Sequence, residues 1–160
     1  MRAALLPALA LLLAGCEPGP VEIRYGEDEC AACRMRITDP RFASQLVMRT
    51  GKAYTFDAIE CLIGFTEREA LAEEAIHSRW VADFAHPGRL IDVRSARWLH
   101  TPRVHSPMGL GVLAFSSEDE LAQARAAFGG DELRWAELPA LRRASGAQPA
   151  PGVRPSAPPQ

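Results

Sequence analysis

The sequence predicts an α+β protein: two small, repeated ββαβ-type units packed together, with a disordered N-terminal linker before them and a disordered tail after. Three observations carry this. Apolar runs of strand length alternate with helical patterns twice along the chain. The halves echo each other, Phe56-Asp57 paralleling Phe115-Ser116 and Arg79-Trp80 paralleling Arg134-Trp135. The last stretch is dominated by Pro, Ala, Gly and Ser, a composition that cannot bury enough apolar surface to offset its ordering entropy. Neither half is large enough to bury a core alone, so the two must pack together or share a sheet.

The N-terminus comes first. Arg2 and the apolar run Ala3 to Leu13 are too short for a permanent span and resemble an export signal. Small residues at Leu13-Ala14-Gly15-Cys16 resemble a bacterial lipobox. That resemblance implies removal of residues 1–15, acylation of Cys16 and anchoring outside the cytoplasm, at the outer membrane in preference to the inner. Loss of Arg2 leaves 17 of 18 basic residues against 20 acidic, so the charge moves from −2 to −3. A mildly acidic chain has no footprint for nucleic acid.

Residues 16–24 then form a linker, 25–89 the first unit, 90–141 the second and 142–160 the tail. In the first unit, Phe42 to Arg49 and Ala53 to Phe56 make a hairpin across Thr50-Gly51-Lys52. Asp57 and Glu60 read as a capping pair for a helix whose apolar face is Ile59, Leu62, Ile63, Leu71 and Ile76. Arg79 to Phe84 returns as a strand. Leu90 to Ala96 is placed as a strand entering the second unit. There, Arg97 to His100 leads to a turn at Ser106-Pro107-Met108-Gly109, and Leu110 to Phe115 is a strand. Ser116-Ser117 caps a helix ended by Gly129-Gly130, and Leu133 to Leu138 closes the unit as a strand.

Chemistry concentrates in Cys30-Ala31-Ala32-Cys33-Arg34-Met35, two thiols and a thioether within six positions. Soft sulfur donors suit Cu(I). Cys33 and Met35, at i and i+2, would share a face of an extended segment. Met108, between Pro107 and Gly109, sits where a methionine has little core to fill, although plugging the junction between the halves explains it equally well. Cys30 and Cys33 also have the spacing of a redox pair or a disulfide. The acidic lead Glu27-Asp28-Glu29 opposes the low thiol pKa a redox site needs. A structural zinc site lacks its second Cys/His pair. With Cys16 assigned to lipid, three cysteines remain, an odd number that cannot all pair within the chain. Cys61, on the apolar helix face, reads as a small buried hydrophobe. His105 is nearer the Met108 turn than His100 and is the better nitrogen donor of the two. No phosphate loop, nucleophile elbow or paired carboxylates suggest an enzyme.

The lipobox, the Cys-x-Met after an acidic lead, Gly51-Lys52, Phe56-Asp57-Ala58-Ile59-Glu60-Cys61-Leu62, Trp80 to Phe84, Ser106-Pro107-Met108-Gly109 and Ala114-Phe115 together resemble the NosL family. The resemblance implies a periplasmic, lipid-anchored Cu(I) metallochaperone, not an enzyme, that supplies the copper centres of nitrous oxide reductase. It implies two ββαβ repeats and carries the copper ligands onto Cys33, Met35 and Met108. Cys30 and His105 are lesser additional candidates. Two departures stand out: Arg34 replaces the usual glycine, and Cys30 adds a thiol. They leave open a different copper acceptor, or a redox or scaffolding lipoprotein.

Overall fold

The computed structural model describes residues 17–146; the signal segment and Cys16 lie outside them. The docked chain begins at Val21, earlier than the expected end of the linker, because the Gln45 amide bonds both its N–H and its carbonyl. Ile23 is buried as a result.

The described residues form two small antiparallel sheets and three α-helices. The first hairpin pairs β1 (Ser44–Met48) with β2 (Ala53–Phe56). Helix α1 (Ile59–Arg68) follows, and β3 (Ile76–Ala82) pairs with β1. The second unit repeats this: β5 (Arg97–His100) and β6 (Val112–Phe115), α2 (Glu118–Phe128), then β7 (Asp131–Leu133) on β5. The order β2-β1-β3 is thus matched by β6-β5-β7. In each unit the helix carries the chain from the second hairpin strand over to the far side of the first.

Four expectations change. Leu90–Asp92 (β4) pairs with β3 and extends the first sheet instead of entering the second. Helix α1 stops at Arg68, so Leu71 lies outside it and Ile76 opens β3. The closing strand is only Asp131–Leu133; Trp135–Glu137 is a 3-10 turn and Leu138–Ala144 forms α3. Pro139 explains this, since it lacks the N–H a strand would use and is well suited to a helix's first turn. The tail therefore cannot start at 142: Arg142 is buried, its Nε donating to the Glu60 carbonyl and its Nη1 to Glu67. Gly64 leaves room for that guanidinium, because a Cβ there would lie 2.3 Å from Arg142 Nη2.

The units share one core, as their size requires. Ile59, Leu62 and Phe56 of the first pack in the same cluster as Trp98, Val112, Ala114 and Leu138 of the second. The alternate residues Leu99, Leu113 and Phe115 point to the other face of the second sheet and pack with Leu121 and Ala124 of α2. Phe84 crosses between units, its ring 5.8 Å from Phe115 and its N–H bonded to the Ala114 carbonyl.

Candidate metal centre

The Cys30–Met35 segment is a tight loop, not an extended strand. Glu29 and Arg36 form an antiparallel bridge, and the loop closes through Cys30 N–H to Met35 O and Arg34 N–H to Cys30 O. Arg34 has φ +67°, the left-handed conformation that glycine adopts without penalty. The chain reverses there, so alternation along a strand does not relate Cys33 to Met35. Ala31 N–H bonds to Thr55 O, docking the loop against β2 two residues before Asp57.

That docking gathers three sulfurs. The Sγ atoms of Cys30, Cys33 and Cys61 and a carboxylate oxygen of Asp57 all lie within 4.8 Å of one another. Cys30 and Cys61 are buried, Cys33 is partly exposed, and none forms a disulfide. Cys33 Sγ donates to Asp57 Oδ2 at 3.3 Å. The other oxygen, Oδ1, is buried with no hydrogen-bond partner. Asp57 is therefore not the expected side-chain cap of α1; the N-cap position is Ala58, with no side-chain bond.

The thiols are not equivalent. Cys61 donates to the Cys30 sulfur, and backbone N–H groups of Cys33 and Asp57 also support a thiolate there; despite burial, Cys30 falls from 9.0 to about 7. Burial pushes Cys33 up to about 12. Donation to Cys30 and burial raise Cys61 as well. Without metal the cluster thus holds one readily formed thiolate flanked by two thiols. Three soft donors beside an unsatisfied buried carboxylate oxygen suit a thiophilic cation, which would compensate that oxygen's lost hydration.

Met35 is half exposed (50%) at the mouth of the loop. Met108 is partly buried and packs against the same core cluster as Cys33. Its turn is fixed by Glu60, the residue before Cys61. Instead of capping α1, the Glu60 carboxylate accepts from Ser106 Oγ and, at 3.2 Å, from Leu110 N–H. His105 is exposed and outside the cluster. A second group, Asp83, His86 and Glu120, has hard donors already engaged: His86 Nδ1 lies 3.1 Å from Asp83 Oδ2 and 3.4 Å from Glu120 Oε1, across the two units. Sequence reasoning missed Cys61 and Asp57 as members of the site. The available signal was their closeness at the β2–α1 junction, Asp57 directly after β2 and Cys61 in the first turn of α1.

Fold and site define a small two-unit α+β domain with a cysteine cluster able to hold a soft metal ion. The chain belongs to the NosL family, whose sequence profile matches residues 20–141. Among solved structures it resembles the copper chaperone NosL from Shewanella denitrificans, with TM-score 0.60 and 22% identity, over 74% of this chain and 96% of that one. No curated protein matches the chain significantly. Among the described residues no helix is long and apolar enough to cross a membrane.

Proposed function

We propose that this chain is a lipid-anchored, extracytoplasmic Cu(I) metallochaperone that hands copper to nitrous oxide reductase during assembly of its copper centres. The observation that carries the reading is the sulfur loop itself, with Cys33 partly exposed and Met35 at the surface beside it. Family membership and the fold shared with a copper chaperone support the choice of copper. Cys33, Met35 and Met108 form the loading set, one thiolate and two thioethers. Cys16 supplies the membrane anchor. Copper is cargo here, and the chain acts on it by binding and release, not as an enzyme.

Low-coordinate sulfur ligation fits a carrier. Thioethers are neutral and leave one at a time, so an acceptor's incoming ligand can replace Met35 at the surface while Cys33 still holds the ion. Glu60 keeps the Met108 turn in place through Ser106 and Leu110. The test is transfer. Chain loaded with Cu(I) under nitrogen is mixed with metal-free nitrous oxide reductase, and copper is followed in each after separation. Copper should move to the reductase faster than from a small chelator of equal affinity. Copper retained by the chain, or moving no faster than from the chelator, would reject this acceptor.

A further inference from the structure

The loading set uses Cys33 alone of the three clustered cysteines, and the pairing of Cys30 with Cys61 beneath it has no part in that reading. Both are almost fully buried, at 0% and 6% exposure. Two thiols could be core filler, but filler does not explain what lies beside them. Asp57 is 2% exposed, and its Oδ1 has no partner although Oδ2 takes the Cys33 thiol. An unpaired carboxylate oxygen buried among sulfurs is unfavourable, and packing alone gives no reason to place one there. The backbone is built to bring this group together, since the loop bond from Ala31 to Thr55 and the start of α1 converge there.

We propose an inner Cu(I) position formed by the sulfurs of Cys30, Cys33 and Cys61, with Cys33 shared between it and the outer thioethers Met35 and Met108. It rests on the carrier reading and deepens it. Copper enters at the exposed sulfurs, where Met35 and Cys33 are met first, and then moves inward as Cys30 and Cys61 replace the thioethers. Each thiol that becomes a ligand releases its proton to solvent, and copper stays Cu(I), so no electrons are exchanged. The outer position serves exchange with partners; the inner one holds the ion away from water and oxidants. Asp57 stays outside the ligand set, because a hard oxygen is a poor donor for Cu(I).

X-ray absorption of the chain carrying one equivalent of Cu(I), prepared without oxygen, tests this directly. A shell of three sulfurs and no oxygen is expected, unchanged in Asp57→Asn and in the Met35→Leu/Met108→Leu pair. Cys30→Ser/Cys61→Ser should fall back on the outer set and bind Cu(I) at least about tenfold more weakly, ~1.4 kcal/mol, against a chromophoric competitor. The Met35→Leu/Met108→Leu spectrum keeps the test sound should the cysteine pair fold poorly, since a three-sulfur shell there needs all three cysteines, and a smaller one would overturn the inner position. Retained affinity in the cysteine pair, with loss in Met35→Leu/Met108→Leu, would overturn the inner position and leave the carrier reading standing. A shell containing oxygen would also overturn it. Failure of the wild-type chain to hold any Cu(I) would overturn both.

Discussion

Glu60 offers the sharpest test of how the second unit is tied to the site. Its carboxylate is 2% exposed; Oε1 accepts from Ser106 Oγ and Leu110 N–H, while Oε2 has no partner. Glu60→Ala leaves two buried donors unpaired, each worth roughly 1–3 kcal/mol. It also relieves the desolvated carboxylate, so the net loss should be about 2–4 kcal/mol. Glu60→Gln keeps an amide oxygen for both donors and removes only the charge.

The two variants separate through pH. Burial raises the Glu60 pKa above its ordinary 4.5. Over the interval above 4.5 the unfolded chain has lost a proton that the folded chain still holds. Unfolding stability therefore falls as pH rises through that interval, then levels off once the folded carboxyl ionises. The stabilising contribution of the protonated group is complete below 4.5 and lost above the folded value. Urea unfolding of wild type and Glu60→Gln from pH 4 to 8 measures it, and their difference removes carboxylates of opposite sign such as Asp39 and Asp92. Glu60→Gln should gain on wild type as pH rises. A pH-independent difference, or a Glu60→Ala loss below about 0.5 kcal/mol, would refute the buried tie.

Other outcomes follow from the same packing. Gly64→Ala should cost about 1–3 kcal/mol by displacing the Arg142 guanidinium. In an Arg142→Ala background it should cost far less, a non-additivity visible in a double-mutant cycle of urea unfolding. Arg34→Gly should stabilise the domain by about 1 kcal/mol by relieving the left-handed φ, outweighing the exposed ion pair with Glu29, whereas Arg34→Val should destabilise it; thermal melts distinguish the two. In the metal-free chain Cys30 should be half ionised near pH 7, and Cys61→Ala should move that midpoint up toward 9.0 by removing the donated hydrogen bond. Thiolate ultraviolet absorbance reports the shift.

The fold was readable wherever local signals agreed. The hairpin at Gly51, the cap at Ser117, whose Oγ accepts from Glu120 N–H, and the stop at Gly129 each combine a turn or capping residue with apolar periodicity. The repeated order β2-β1-β3 and β6-β5-β7 follows from that punctuation. What misled were residues with a local and a distant use. Asp57 and Glu60 have capping-box spacing, yet one carboxylate turns to Cys33 and the other to Ser106, partners 24 and 46 positions away. Cys61 looked like an ordinary apolar helix residue because its partners, Cys33 and Cys30, arrive on a loop 28 and 31 positions earlier. Arg142 falls in the stretch expected to be tail, and only the missing side chain at Gly64 and the Glu60 carbonyl show why an arginine is held there.

The most direct test of the central claim is the number of Cu(I) ions the chain holds against a competing chromophoric ligand under nitrogen. The wild-type chain should hold one Cu(I) tightly, and Cys33→Ser should lose it, since every copper position described here includes that sulfur. Undiminished Cu(I) binding by Cys33→Ser would contradict the account.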